Sequence, residues 1–380
     1  MRQRTCRRGG WVSLAALVLM TVLLAAMALA INAGWLATAR LDSQTTADAA
    51  ALAAAGRLID DDWLRSPPPS REDLLLAARQ QAGEYALRNR VLGRPLSLLP
   101  EDVALGGYDS NGVFVPADNT ATLDQADTVR VGARRLRERN EGVPILFGAL
   151  FLTPVVSVQS FAEARLDRDI IGFRARDQRP LPLLPLGLRL SDWQSQILSG
   201  AGPDSDAFIP GVGFTNGPDG ISEIDLTLPL APSAALTDGN GAIVPLGAGD
   251  PYIQISQGVT LDDLLATEGV LSLDATNQLP VNPSVGPTVA TGDYGALLAG
   301  LQVWQNAGEP RVLPLLDDST SIVAFVAVRI VRVEETSNDR LTIRLQPALL
   351  AVPMALSDST RRGTAALLPN PYLARPRLAR

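Results

Sequence analysis

Residues 9–39 read GGWVSLAALVLMTVLLAAMALAINAGWLATA, and this stretch decides the fold because it contains no charged residue. Residues 11–36 are almost wholly apolar, and a helix needs about 20 such residues to cross the hydrocarbon core of a bilayer. Trp11 and Trp35 bracket the stretch at a separation of about 36 Å along a helix, which places one indole at each membrane–water interface. We therefore predict a transmembrane helix over residues 11–36.

The flanking charges predict the orientation of this helix. The basic residues that precede it are four arginines: Arg2, Arg4, Arg7 and Arg8. Because positive flanks stay in the cytoplasm, residues 1–10 are predicted to be a cytoplasmic tail, with the rest of the chain outside. A signal peptide cleaved after Ala30 is the alternative, although the apolar cores of signal peptides usually run about 7–15 residues and this one is longer.

The composition of the 380 residues excludes several classes of function. All 33 basic residues are arginine, since the chain has no lysine and no histidine. After the four N-terminal arginines, 29 remain against 40 acidic residues, a net charge of −11 that offers no basic face to nucleic acid. The missing histidine and lysine exclude a Ser-His-Asp triad, His-ligated zinc and a P-loop lysine. The single Cys6 allows no internal disulfide.

Helix-forming sequence continues beyond residue 36, because neither glycine nor proline occurs between Arg40 and Gly56. We predict that residues 37–66 extend the helix as a rod to about Ile59, and that the prolines after Ser66 end it. At 100° per residue, one stripe of the rod contains Leu41, Thr45, Leu52, Ala55 and Ile59.

Asp48 lies within about 20° of the centre of this stripe, which allows two interpretations. In one, the stripe is solvated and Asp48 is hydrated. In the other, a packing stripe of Leu41, Asp48, Leu52 and Ile59 contacts a partner helix or the following domain. Asp48 then accepts a charge-assisted hydrogen bond that fixes the register. Asp42, about 100° from Leu41, is expected to tolerate replacement.

The remaining sequence predicts an α+β fold in two parts. Residues 70–175 are expected to form a small α+β domain, with an amphipathic helix from Glu72 to Val91 capped by Ser70 and Asp73. The proline-rich segment 179–185 is predicted to be a domain boundary. Residues 187–356 are expected to form a β-rich domain, and residues 357–380 a disordered tail.

Within the β-rich part, four elements are predicted from capping and alternation. They are a helix that begins at Thr260 with Asp263 behind it, a helix over Tyr294–Asn306, and strands over Ile322–Val333 and Arg340–Leu345.

Carboxylates are the catalytic groups that this composition leaves open, as in glycoside hydrolases. The candidates are Asp204, Asp206, Asp219, Glu223, Asp262 and Asp263, but turn formation and helix capping account for most such acids. Asp317, Ser319 and Ser321 satisfy the Asp-x-Ser-x-Ser spacing of a metal-dependent adhesion site. Because Pro314 interrupts the preceding strand and another strand follows, we predict a polar turn here instead. No metal or cofactor is expected.

A family resemblance comes from the N-terminal segments. The basic tail, the apolar helix, Ala39-Arg40-Leu41 and the run from Gln44 to Ala53 resemble the signature of TadG-like (TadE/TadG) proteins of tight-adherence (Flp) pilus assembly. Segments 106–109, 114–116, 128–131, 144–151 and 155–164 extend the resemblance to about residue 170. Larger members carry a von Willebrand type A domain, for which this chain is too short and differently patterned.

The resemblance implies a role in pilus assembly or in a related machine of the cell envelope. The expected protein is a single-pass component of the bacterial inner membrane that works by protein–protein contact. Its expected partners are the lipid bilayer, other pilus-assembly or envelope proteins and a second copy of the chain, with no nucleic acid. A secreted or anchored carboxylate-dependent hydrolase and a surface adhesin are the alternatives.

Overall fold

A computed structural model describes most of the chain as two compact units. The described residues are 9–67, 70–108, 113–117, 127–148, 154–176, 179–229, 239–281, 293–319, 321–336, 340–358 and 371–379. Unit 1 takes its described residues from 1–54, 75–164 and 378–380. Unit 2 takes them from 55–74 and 165–377. The predicted mixed α+β fold, with a long apolar N-terminal helix followed by a small helix and a strand-rich region, is confirmed.

Unit 1 is built on the first helix. Its elements are α1 (Gly9–Gly56), α2 (Arg71–Arg88, which begins in unit 2), a 3₁₀ turn (Pro100–Asp102), β1 (Val103–Tyr108), β2 (Phe114–Pro116), β3 (Thr128–Arg135), β4 (Val143–Pro144), β5 (Val155–Val156) and β6 (Val158–Asp167, which ends in unit 2). Strand order in its main sheet is β6-β3-β1-β2, and β4 pairs with β5 in a separate hairpin. Strands β1 and β3 pair antiparallel, with Val103 opposite Val131.

The second helix follows its sequence signals closely. The amide of Asp73 donates to Ser70 Oγ at 3.2 Å, and that hydroxyl donates to the Asp73 carboxylate at 2.6 Å. This exchange satisfies an orphan donor at the helix start. Ala78, Ala82 and Ala86 are fully buried on one face. The predicted helix and its cap are therefore confirmed, although the helix ends at Arg88 and not at Val91.

Unit 2 contains most of the strands. Its helices are a 3₁₀ turn (Asp61–Leu64), α3 (Leu190–Trp193) with a π turn (Gln194–Leu198), α4 (Pro251–Gln257), a 3₁₀ helix (Asp262–Thr267) and α5 (Asp293–Ala307). Its first strands are β7 (Ile170–Arg174), β8 (Leu186–Arg189), β9 (Asp206–Ile209), β10 (Gly213–Asn216), β11 (Ile224–Pro229), β12 (Gly241–Ile243) and β13 (Val270–Ser272). The others are β14 (Leu279–Pro280), β15 (Arg311–Leu316), β16 (Ser321–Thr336), β17 (Arg340–Pro347), β18 (Leu350–Ala351), β19 (Ala355–Ser357) and β20 (Leu373–Ala379).

The main sheet of unit 2 has the order β11-β17-β16-β15-β8-β12, and β14 pairs with β16. The predicted strand pair is confirmed as β16 and β17, where Leu341, Ile343 and Leu345 are fully buried while Arg340 is exposed. This alternation puts one face of β17 in the core. The predicted helix Tyr294–Asn306 is confirmed as α5. The Thr260 start is confirmed as well, since its amide donates to the Asp263 carboxylate at 2.7 Å.

The proline-rich segment 179–185 lies inside unit 2, where the sequence suggested a boundary. Leu181, Leu183 and Leu184 are buried in its core, because the intervening prolines keep the segment extended. The segment runs parallel beside β15: the Val312 amide donates to Pro182 O at 2.7 Å. Pro314, two residues later on β15, turns its nitrogen to the same side. It therefore removes no hydrogen bond to β16, and the expectation that Pro314 interrupts the strand was wrong.

Two further expectations need correction. The tail 357–380 is not wholly disordered: Tyr372, Leu373 and Ala374 are buried, and β20 pairs parallel with β18. The rod ends at Gly56, before Ile59, because glycine is a weak helix former. The amide of Leu58 turns back to the carbonyl of Ala55 there.

Candidate functional site on the N-terminal helix

The first part of α1 exposes apolar side chains all around. Between Leu14 and Ile31 every large apolar residue is exposed, with Leu17 and Met20 at 65% and 64%. Among the described residues, α1 is the one helix long and apolar enough to cross a membrane. A fully apolar, unburied helix is typical of a lipid environment. The helix is therefore consistent with a single-pass membrane anchor.

From Asn32 onward the same helix buries one face within unit 1. The face is lined by small residues: Asn32, Ala39, Ser43, Thr46, Ala47, Ala50, Ala51 and Ala54. We call this set the docking face. Small side chains let the backbone of a helix approach its neighbours closely. Ala39 packs with Val143 and Val158, and Trp35 and Leu36 cover them.

Side-chain hydrogen bonds hold α1 against the rest of unit 1. Trp35 Nε1 donates to Pro144 O at 2.9 Å, and Asn32 Oδ1 accepts the amide of Phe147 at 3.2 Å. Ser43 Oγ donates to Ala133 O at 3.4 Å. Each bond joins a side chain of α1 to a backbone group elsewhere in unit 1, and a backbone group buried without a partner would cost free energy.

Three more bonds continue this series along the helix. Asp42 Oδ2 accepts the amide of Leu92 at 3.0 Å, and Thr46 Oγ1 donates to Asn89 O at 3.1 Å. Gln44 Nε2 donates to Phe161 O, also at 3.1 Å. Asp42 is thus a structural residue, and the expectation that it tolerates replacement has no support.

The predicted stripe lies on the opposite side of the helix. Asn32, Ala39, Ser43 and Ala50 fall about 180° from Leu41 at 100° per residue. Within unit 1, Leu41 is 69% exposed and Leu52 is 37% exposed. Ile59 lies beyond the end of α1.

Asp48 is half-buried, and its carboxylate accepts Gln44 Nε2 at 2.8 Å. Sequence reasoning missed this partner one turn earlier. The docking face contacts the rest of unit 1, whereas the stripe lies on the other side of the helix. Packing of the stripe on a partner helix therefore stays a prediction.

Of the residues predicted to set topology, Arg2, Arg4, Arg7 and Arg8 lie outside the described residues, as does the side chain of Trp11. Trp35 is described, and its indole is half-buried against unit 1 rather than free. The polar members of the docking face were missed because they carry no charge. Their signal was spacing: Asn32, Ala39, Ser43 and Thr46 recur every three, four or seven residues.

The candidate carboxylates of unit 2 hold loops in place. Asp204 accepts the amides of Asp219 and Gly220, both at 2.9 Å. Asp219 accepts the amide of Phe208 at 3.3 Å and Gln346 Nε2 at 3.1 Å. Carboxylates occupied by backbone donors in this way stabilise turns.

Glu223 and Asp206 complete this network. Glu223 is fully buried and accepts the amide of Asp206 at 2.8 Å and Ser205 Oγ at 2.9 Å. Burial raises the pKa of Glu223 above its usual value, while these hydrogen bonds pull it down. Asp206 pairs with Arg332 at 3.3 Å, and Arg344 lies 3.9 Å away.

A groove of about 520 Å³ lies beside the 3₁₀ helix of unit 2, lined in part by Arg176, Arg179 and Thr260. Asp262 is the one acid among its described lining residues, and Asp263 is occupied by capping. Paired-carboxylate hydrolysis needs two acids facing one substrate. The groove does not bring such a pair together.

The Asp-x-Ser-x-Ser segment forms a turn between β15 and β16, as predicted. Asp317 accepts Ser319 Oγ at 2.7 Å and the amide of Ser321 at 2.8 Å, and its own amide donates to Ser321 O at 3.0 Å. The carboxylate that a metal would need closes the turn instead. Within the described part of the chain, no group of three or more Asp, Glu, Cys or His side chains is placed to hold a metal.

One comparison with known proteins gives a match. Residues 10–57 match the family model of TadE/G-like Flp pilus assembly. The N-terminal segment is thus similar to the TadE/G-like domain. The match coincides almost residue for residue with α1, so it covers both the apolar span and the docking face.

The TadE/G-like segment ends at residue 57, although the sequence resemblance was expected to reach about residue 170. No curated protein and no solved structure matches the chain. The family concerns Flp pilus assembly and is generally non-enzymatic. No comparison therefore indicates a role for the strand-rich units, and their role has to be inferred from their geometry.

Proposed function

We propose that this chain is a structural component of Tad (Flp) pilus assembly, or of a related envelope machine, that acts by protein–protein contact. Its TadE/G-like helix spans the inner membrane of a bacterium once. Residues 1–10 lie in the cytoplasm, and both compact units lie outside. The observation that carries this proposal is the coincidence of the family match with one unbroken helix.

The architecture of α1 supports an assembly role. Six side chains between Asn32 and Thr46 bond unit 1, so the unit is held on the helix instead of being tethered by a flexible linker. A rigid connection transmits position from the membrane to the exported part. The net negative charge after the span is compatible with a protein partner and unfavourable for binding nucleic acid.

The exposed stripe of α1 supports a partner helix as the contact. Leu41, Thr45 and Leu52 are exposed within unit 1, and the half-buried Asp48 lies among them on the same side of the helix. A second copy of the chain presents the same stripe, and a lone polar residue among apolar ones fixes the register of paired helices. We propose that the stripe pairs with another α1 or with a helix of another pilus component.

The topology is tested with a reporter that is active only outside the cytoplasm. Fused after Arg65, it should be active and should remain in the membrane fraction, because α1 is retained as an anchor. Recovery of a soluble fusion whose sequence begins near Ile31 would show cleavage after Ala30 and would replace the anchor with a signal peptide.

The stripe is tested with a photo-crosslinking amino acid at Thr45 and the Asp48→Ala change. We expect Thr45 to capture another α1 or a second envelope protein, and Asp48→Ala to reduce that yield several-fold. Stability should change by about 1 kcal/mol or less, since a Gln–Asp pair one turn apart on a helix contributes about 0.2–0.5 kcal/mol.

Glu84→Ala is the matched control, because Glu84 is an exposed acid of α2 that pairs with Arg88. It should leave the crosslinked yield unchanged. If Thr45 captures nothing in either background, the stripe is solvated and the pairing proposal fails, while the topology result stands.

A further inference from the structure

A short apolar hairpin lies beside the membrane-spanning part of α1. Its strands β4 and β5 pair antiparallel, with Val143 opposite Val156. The amide of Ile145 donates to Pro154 O at 3.0 Å, which continues the pairing into the turn. From residue 142 to residue 162 the sequence has no charged side chain, in a chain that is 19% charged. Part of this run is the buried face of β6, so the residues of interest are the exposed apolar ones that follow β4.

The described residues that follow β4 expose their apolar side chains. Leu146 is 55% exposed and Phe147 is 37% exposed. Leucine and phenylalanine are the kinds of side chain that enter the boundary between headgroups and acyl chains. We call Leu146 and Phe147 the apolar tip.

Hydrogen bonds fix the height of the apolar tip along α1. The Phe147 amide bonds Asn32, and the Pro144 carbonyl bonds the Trp35 indole. Asn32 is 94% buried there, so the amide of Phe147 satisfies a carboxamide that would be costly in an apolar environment. The tip is therefore held at a defined level of the helix.

That level lies within the apolar span. Asn32 precedes Arg40, the first charge after the span, by eight residues, or about 12 Å of helix. The neighbouring Leu29 and Ile31 are 60% and 43% exposed, as lipid-facing residues of an anchor would be. The apolar tip thus continues the surface that α1 presents to lipid.

We propose that the apolar tip inserts into the outer leaflet of the bilayer that α1 spans, at the headgroup–acyl boundary. The occupant of this surface is lipid, because the tip is fixed at a height where the helix beside it is lipid-facing. Insertion gives unit 1 a second membrane contact and restrains its rotation about α1. This inference rests on the proposed membrane anchoring.

The test uses the full chain with Cys6→Ser in vesicles of phosphatidylethanolamine and phosphatidylglycerol. An environment-sensitive fluorophore is attached to single cysteines at Leu146→Cys, Phe147→Cys, Ile31→Cys and Leu87→Cys. Ile31 reports the anchor. Leu87 is the water control: it is exposed on α2, two residues before Asn89, which bonds Thr46 about 21 Å further along α1 than Asn32.

We expect lipids spin-labelled near the headgroup to quench residues 146 and 147 about as well as residue 31 and several-fold more than residue 87. Aqueous iodide should quench only residue 87. If iodide quenches residues 146 and 147 while lipid quenches residue 31, the anchor stands and the inference is overturned. Protection of the tip from both quenchers also overturns it, because a protein then covers the tip. Quenching of residue 31 by iodide would overturn the anchoring itself.

Discussion

Replacing Arg329 with alanine should destabilise unit 2 by about 3–5 kcal/mol, because it leaves the half-buried Asp61 carboxylate without its counter-ion. Arg329 is buried on β16 and forms an ion pair with Asp61. Its Nε donates to Gly308 O at 2.9 Å, and its guanidinium lies 4.2 Å from the centre of the Phe208 ring. Asp61 begins the turn after α1, so this pair fixes that turn on the main sheet of its unit.

The loss should depend on pH in a defined direction. Burial raises the pKa of Asp61 above its ordinary 3.8, although Arg329 and the Leu349 amide lower it. When the pKa of a carboxyl is higher in the folded state than in the unfolded state, the free energy of unfolding falls as pH rises. The fall begins near the unfolded-state pKa and is complete above the folded-state pKa. Without Arg329 the folded pKa rises further. The difference between the variant and the unaltered protein should therefore be largest near neutrality and should shrink toward pH 4.

Chemical unfolding of the chain in detergent at several pH values measures both effects. Arg340→Ala is the control, since Arg340 is exposed at the start of the neighbouring strand β17. It should change stability by about 0.5 kcal/mol or less. The double variant Asp61→Asn with Arg329→Ala should lose the extra pH dependence. A pH-independent loss in Arg329→Ala would show that packing against Phe208, and not the charge of Asp61, accounts for the effect.

Local signals predicted much of the fold. The Ser70–Asp73 and Thr260–Asp263 caps, α5 and the alternation of β17 each depend on residues within a few positions of one another. The long apolar helix α1 belongs to the same class, because length and lack of charge suffice to recognise a helix that could cross a membrane.

Features that depend on distant partners were not predictable. The 179–185 segment contains three prolines, which suggested a linker, yet its leucines enter a core built from β15 and β16. The tail strand β20 exists because β18 offers an edge. One local signal was also overlooked: the helix α4 was not predicted, although Asp250 caps it and Pro251 occupies its first position.

The docking of α1 shows why the candidate site was only partly foreseen. Hydrophobicity predicted that Leu41 and Leu52 make the packing contacts of the helix. The docking face instead contains alanine, serine, threonine and asparagine. On a helix so rich in alanine, the apolar stripe does not identify the side that approaches backbone closely. Close packing is decided by size, and small residues occur on several sides.

The size requirement of the docking face gives the second large expected effect. Ala50 is fully buried between Ala47 and Ala54, one helical turn away on each side. Ala50→Leu inserts a branched side chain where the helix meets unit 1, and overpacking of this kind costs about 1–3 kcal/mol. The anchor itself is unaffected, so the variant should remain in the membrane while unit 1 opens more readily.

Hydrogen exchange of β3 in detergent measures this opening, because the carbonyl of Ala133 accepts Ser43 Oγ from α1. Ala37→Leu makes the same change at an exposed position of the same helix and should alter exchange by about 0.5 kcal/mol or less. Faster exchange in Ala50→Leu but not in Ala37→Leu would show that the docking face stabilises unit 1. Equal protection in both variants would mean that unit 1 does not depend on α1. The rod would then act as a tether, and the rigid connection that supports the assembly role would have to be abandoned.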